Sequence, residues 1–167
     1  MTADPGLTAA VKEIERHAAE TGWDQPARLF ALVETARLVE REPHLAATVG
    51  HGTLTAVEQE GLSSGGSLED QLPAITWPET VHGCAALVER FVLPPEVEAV
   101  LPDDPEQAAS YAAEHPERQE LRMVGAVLRD GTTWCAYRFR SHDDPAQVVT
   151  GPDLVPALLE LLQDTLV

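Results

Sequence analysis

The chain has 167 residues, of which 44% are apolar and 23% charged, so it fits one globular domain and falls outside the disordered and collagen-like classes. Its net charge of -17 arises from 28 acidic and 11 basic residues. Such a charge disfavours nucleic acid and anionic membrane surfaces as partners, because both are bound through basic side chains.

Residues 1–43 have the pattern of a helical hairpin. Asp4 and Pro5 are start signals for a first helix that Gly22 ends, and its apolar stripe consists of Leu7, Val11, Ile14 and Ala18. Residues 26–42 repeat the helical spacing, and Pro43 ends the second helix. The short connection "GWDQ" between them favours an antiparallel pair.

Residues 44–75 carry weaker signals, and we expect this segment to be irregular and flexible. The stretch "LTAVEQEGL" fits either a short strand or a short helix. The stretch "SSGGSLEDQLP" has the composition of a flexible loop.

Residues 76–167 predict a sheet with a crossover helix and a C-terminal helix. "TVHGCAALVERFVL" reads as a buried strand, and "DDPEQAASYAAEHP" as a helix capped by Asp104. "ELRMVGAVL" and "TWCAYRFR" form a hairpin around "RDGT", and "GPDLVPALLELLQDTLV" closes the chain as a helix. We therefore expect a single α+β domain over residues 1–167, with an N-terminal helical hairpin, an antiparallel sheet of about three to five strands and a C-terminal helix packed on the sheet.

The hairpin holds the most informative group of side chains. Five arginines and two acids lie between Arg118 and Arg140, which gives this window a net charge of +3 in a strongly acidic chain. If Asp130 and Gly131 are the two central turn residues, Cys135 faces the core. The candidate ligand or partner face then consists of Trp134, Arg138, Arg140, Arg122 and Met123. A three-residue bulged turn would exchange the two faces.

A second interpretation of the arginines is internal. They would pair with the excess carboxylates of the chain itself, for example around Asp103, Asp104 and Glu106. The sequence leaves both interpretations open.

Metal and catalytic sites have weaker support. His82, Cys84, His142 and Asp143 form the alternative metal set, and zinc held by His82, Cys84, Cys135 and His142 is a variant of it. The spacing of a zinc knuckle is absent from the sequence, and buried strand cysteines are the default. Asp143 and Asp144 fit the exit from a strand. We predict no catalytic residue, no metal and no cofactor.

Three stretches resemble a family of small acidic actinobacterial proteins without a known activity: "TWPETVHGCAALVER", "HPERQELRMVGAVLRDGTTWCAYRFRSHDD" and "TGPDLVPALLELL". The resemblance covers roughly residues 75–165. It implies a bacterial, cytoplasmic, single-domain protein without an assigned cofactor.

A cytoplasmic location also agrees with two features of the sequence. The N-terminal segment lacks the basic and apolar regions of a signal peptide, and two cysteines are too few for a disulfide framework. We expect a noncatalytic module that binds another protein or a second copy of itself. The alternative is a small enzyme, or a metal or anion binder, with a pocket near His82, His142 and the strand arginines.

Overall fold

A six-stranded antiparallel sheet is the centre of the fold in the computed structural model, which describes residues 4–47, 53–59 and 68–166. The strands are β1 (Arg28–Glu34), β2 (Leu54–Glu58), β3 (Gly83–Val92), β4 (Gln119–Leu128), β5 (Thr133–Phe139) and β6 (Val149–Gly151). The α-helices are α1 (Pro5–Thr21), α2 (Thr35–Arg41), α3 (Leu68–Gln71), α4 (Pro95–Glu98), α5 (Pro105–Glu114) and α6 (Pro156–Asp164). The strand order is β2-β1-β3-β4-β5-β6, and every neighbouring pair is antiparallel.

The sheet is covered by a helix on each side. On the first side, here the α1 face, the apolar stripe of α1 packs against alternate residues of β1, β3, β4 and β5. On the second side, here the α6 face, Leu158, Leu159 and Leu162 of α6 pack against the other residues of these strands. The two central strands β3 and β4 are therefore buried on both faces.

The prediction of helix α1 and its start is confirmed. The Asp4 carboxylate accepts a hydrogen bond from the Leu7 amide at 3.0 Å, Pro5 is the first helical residue, and the helix ends before Gly22. The predicted stripe is buried. The helix also buries Gly6 and Ala10, and it buries one charged residue, Glu15.

The predicted helical hairpin of residues 1–43 is wrong in its second half. Residues 28–34 form strand β1, and only Thr35–Arg41 is helical. The four consecutive residues from Leu29 to Leu32 are all buried, because β1 lies between β2 and β3 and is covered on both faces. In a continuous apolar run, the positions expected for the buried face of a helix are also apolar. The spacing of apolar residues therefore did not distinguish a helix from a strand buried on both faces.

The expected three to five strands fall short of the observed six. The stretch "LTAVEQEGL", for which a strand and a helix were both possible, forms strand β2 over residues 54–58. Strand β6 ends at Gly151, where we expected the last helix to begin, and α6 begins at Pro156. The glycine and serine residues of "SSGGS" lie outside the described residues. The second half of the predicted loop forms the short helix α3.

The hairpin of β4 and β5 forms in the bulged register. Ala126 lies opposite Trp134, Gly125 opposite Cys135 and Met123 opposite Tyr137, which is one residue away from the register of a two-residue turn. Leu128 N donates to Thr132 O at 2.9 Å, and Gly131 has φ +91°. The three-residue loop shifts β5 by one residue against β4. Each residue of β5 therefore shares a face with the β4 residues that the two-residue turn places on the other face.

The left-handed conformation of Gly131 leads to a test of this turn. Gly131→Ala should lower the free energy of unfolding by about 1–2 kcal/mol, because an L side chain with a Cβ is disfavoured at positive φ. Gly131→Asn should cost less, since asparagine tolerates this region better. Urea unfolding of the two variants measures the difference. Equal costs for alanine and asparagine would contradict the turn geometry.

Candidate interaction site

The predicted arginine face is divided by the fold, and two of its arginines, Arg122 and Arg138, are buried beneath helix α1. Trp134, Arg138 and Arg122 are on the α1 face, where Arg122 and Arg138 are directly paired across β4 and β5. They are only 2% and 4% exposed. Met123 lies on the opposite face, near α6. The structure therefore does not bring the five predicted residues together on one surface.

A single carboxylate joins the two buried arginines. Glu15 Oε1 accepts from Arg138 Nη2 at 2.5 Å, and Glu15 Oε2 accepts from Arg122 Nη2 at 3.2 Å and from its Nε at 3.3 Å. Arg138 Nη1 also donates to Asp143 Oδ1 at 2.9 Å, and this guanidinium lowers the pKa of Asp143. Two guanidiniums and two carboxylates thus form a neutral group, which we call the Glu15 cluster.

Arg140 and Trp23 extend this arrangement to the surface. Arg140 pairs with Asp24 at 2.8 Å and with Glu120 at 2.6 Å, and it lowers the pKa of Asp24. The guanidinium carbons of Arg122 and Arg140 lie 4.7 and 5.6 Å from the centroid of the Trp23 ring. The strand arginines are thus engaged by side chains of the chain itself.

The carboxylates that pair with the arginines differ from those we expected. Asp103, Asp104 and Glu106 form no ion pair with them in the described structure, whereas Glu15 does. The sequence contains a signal for Glu15, since an acid stands within the apolar stripe of a helix. A buried acid requires a cationic partner, and arginines at strand positions are candidates for it.

The residues of the alternative metal set are separated by the fold. His82 precedes β3 and lies 3.7 Å from a carboxylate oxygen of Glu34, whereas His142 follows β5. Because Gly83 pairs with Leu128 and Phe139 pairs with Leu121, the two histidines lie at opposite ends of the sheet, about 20 Å apart along the strands. No group of three metal-ligating side chains occurs within residues 4–47, 53–59 and 68–166.

Both cysteines are buried on the α6 face. Cys84 Sγ lies 3.6 Å from Thr165 Oγ1 and from Leu162 O, and burial raises the pKa of this thiol to about 11. Burial also raises the pKa of Cys135. Both thiols are free, and their environments disfavour the thiolate that a nucleophile or a metal ligand requires.

The segment between β3 and β4, residues 93–118, has the opposite character from the buried cluster. We call it the arm. It contains α4 and α5, and Leu93 and Val97 are the buried ones among those of its residues whose burial is described. Helix α5 buries none of the residues whose side chains are described, and it has only sparse contacts with other helices and strands. Val100 is 68% exposed and Tyr111 is 41% exposed.

The arm is also strongly acidic. Its net charge is -6, because Arg118 is its one basic residue other than histidine against seven acids: Glu96, Glu98, Asp103, Asp104, Glu106, Glu114 and Glu117. Arg118 itself is engaged, since its Nη1 donates to His115 O at 3.0 Å and its guanidinium lies 5.9 Å from the centroid of the Phe91 ring. The arm thus presents apolar and acidic side chains together.

Two open cavities lie near the ends of the arm. One of about 380 Å³ has two arginines in its lining, of which Arg118 donates to His115 O and Arg140 pairs with Asp24. The other, of about 340 Å³, is mainly apolar and lies on the α6 face. We call the second cavity the groove. Its floor contains Val88 and Met123, its wall is residues 154–158, and Glu69 and Arg90 pair at its side.

These features define a small α+β protein in which one helix covers each face of an antiparallel sheet. The family described as PPA1309-like protein has a model that matches residues 7–167, and the chain belongs to this family. No curated protein and no solved structure matches the chain. None of the described helices combines the length and the apolar character that a membrane crossing requires.

The Glu15 cluster can be tested by removing its central carboxylate. Glu15→Ala leaves two guanidiniums buried with too few acceptors, so the free energy of unfolding should fall by about 3–5 kcal/mol. Glu13→Ala is the matched control on the same helix, since Glu13 forms exposed pairs with Arg16 and His17, and its cost should stay within about 1 kcal/mol. Urea unfolding decides between them, and equal costs would contradict the structural role of Glu15.

The cysteines give a test by chemical modification. At about pH 8, native Cys84 should react with iodoacetamide roughly a hundredfold more slowly than a thiol with the ordinary pKa of 9.0, because fewer thiolates form. The rate should rise with pH, and both cysteines should react quickly in urea. Mass spectrometry after timed alkylation measures these rates. Rapid labelling of Cys84 in the native protein would contradict its burial.

Proposed function

We propose that this protein is a noncatalytic, cytoplasmic interaction module that binds a basic protein partner through the arm. The observation that carries the proposal is the lack of packing around α5. An isolated helix shorter than about 12–15 residues is marginal in water, and most helices in proteins are stabilised by an apolar face packed on a neighbour. Helix α5 has ten residues and buries none of those whose side chains are described. A partner that covers the exposed Tyr111 and Val100 would supply this packing.

The charge of the arm supports a basic partner in preference to a second copy. Two arms of net charge -6 repel each other, and two whole chains of charge -17 do so as well. Lysine and arginine side chains on a partner would be attracted to the acids of the arm, which speeds association and selects against acidic proteins. Tyrosine is enriched among the residues that contribute most to binding.

Selection from a random peptide library displayed on phage, with the whole chain immobilised, tests the proposal. We expect the enriched peptides to combine lysine or arginine with leucine, isoleucine or aromatic residues. Their binding should weaken as salt increases, because exposed charges are screened. Replacing both Val100→Ser and Tyr111→Ser should weaken binding by about tenfold or more.

A matched control removes exposed apolar side chains elsewhere. Val57→Ser with Val149→Ser alters valines that are 38% and 40% exposed on the edge strands β2 and β6, and this variant should bind as the wild type does. Selection of peptides without basic residues, failure of selection, or equal binding by the arm variant would contradict the proposal. A concentration-dependent dimer whose interface is the arm would contradict it as well.

A further inference from the structure

The groove beside α6 lies next to the point where this helix packs closely on a glycine of strand β4. At Gly125 the helix comes so close to β4 that an added Cβ would lie 3.2 Å from side-chain atoms of Val155 and Leu158. Met123 is the next residue of β4 on the same face, and it is only partly buried. Because α6 begins at Pro156, it covers the sheet at Gly125 and leaves the apolar surface at Met123 open.

The groove has the properties of a binding cavity for apolar groups. Its volume of about 340 Å³ falls in the lower range of ligand cavities, and its lining is mainly aliphatic with one pair of charged side chains. That pair is self-contained, since Arg90 Nη2 bonds Glu69 and Arg90 Nη1 donates to Glu89 O at 3.1 Å. The guanidinium of Arg90 is therefore already occupied and is not directed toward an anionic ligand.

The groove continues toward the arm along strand β3. Val88, Arg90 and Val92 alternate onto the same face of the strand, and Val92 is 39% exposed. The arm begins at the next residue, Leu93. A segment bound along the arm can therefore reach the groove by passing over Val92 and the ion pair of Arg90 with Glu69. We infer that the groove receives the apolar side chains of the same basic partner segment, and this inference rests on the proposed function.

The acidic surroundings support this choice of occupant. Asp153 directly precedes the groove wall, and the arm with its net charge of -6 lies at the other end of the path. An apolar segment with flanking lysines or arginines matches both the aliphatic floor and the charge around it. An acidic segment would be repelled before its apolar groups could enter.

Methionine labelling provides a direct signal from the groove. The chain has two methionines, Met1 and Met123, so a protein labelled with ¹³C at the methionine methyl groups has one resonance from the groove. Three short peptides serve as probes: leucines at helical spacing with lysines elsewhere, the same with alanines in place of leucines, and the same with glutamates in place of lysines. We expect the lysine and leucine peptide to shift the Met123 methyl resonance far more than the other two.

Variants at Ala157 separate the groove from the arm. Ala157 is exposed in the first turn of α6 and lines the groove, so Ala157→Gln and Ala157→Leu should narrow it without disturbing the fold. Each should lower the affinity of the lysine and leucine peptide by about fivefold or more. Ala146→Gln, at an exposed alanine away from the groove, is the matched control and should bind as the wild type does.

The outcomes distinguish this inference from the proposed function. If the peptide binds and the arm variant weakens it, while the Met123 resonance and the Ala157 variants show no effect, the groove inference is overturned and the proposed function stands. If the Met123 resonance shifts equally with the arm variant, the groove binds without the arm and the proposed function fails. An equal shift with the glutamate and leucine peptide, or no shift with any peptide, overturns the basic apolar occupant.

Discussion

The pairing of the Glu15 carboxylate with two buried arginines is the interaction on which the packing of helix α1 against the sheet depends. It joins helix α1 to strands β4 and β5 through Arg122 and Arg138, residues that are more than a hundred positions away in the chain. Burial of charged groups carries a large desolvation cost, which is offset only when the groups are paired and hydrogen-bonded in good geometry. The cluster meets the requirement for pairing by placing one carboxylate between two guanidiniums and a second, Asp143, at the outer side, although Arg138 Nε has no hydrogen-bond partner. The position of α1 over the sheet is thereby specified as well as stabilised.

The same pairing explains the acidity of the surface. Arg122 and Arg138 are withdrawn from solvent, and Arg129 donates to the main-chain oxygens of Val81 and Leu166. Arg140 and Arg90 are held by acids of the chain itself. With five of its 11 basic residues used in this way, the chain presents to solvent mainly the excess of its 28 acids. The positive window that the sequence shows between residues 118 and 140 is therefore no positive surface in the folded protein.

Elements with local signals could be predicted from the sequence, and those decided by distant contacts could not. The cap at Asp4, the buried strand β3 and the apolar stripe of α6 follow from capping chemistry and periodicity, and the structure has all three. Strand β1 was predicted as helix because its burial depends on β2 and β3, which lie elsewhere in the chain. The faces of the hairpin depended on one residue of turn length, since a shift of one exchanges every side chain between faces. The arginines were recognised, but their partner Glu15 comes from a helix that is remote in sequence.

The arm is joined to the sheet in a way that makes the packing of the sheet nearly independent of helix α5. Strands β3 and β4 pair along their whole length, and the last pair, Val92 with Gln119, brings the two ends of the arm to adjacent positions. Residues 93–118 thus leave and rejoin the sheet at one place. Whether the arm is ordered therefore has little effect on the entropy cost of bringing β3 and β4 together. Because α5 contributes no buried side chain among those described, a change on its surface has little effect on the two cores. A rigid sheet fixed by the Glu15 cluster and a weakly packed acidic helix together form a scaffold that can hold one variable surface in a constant position.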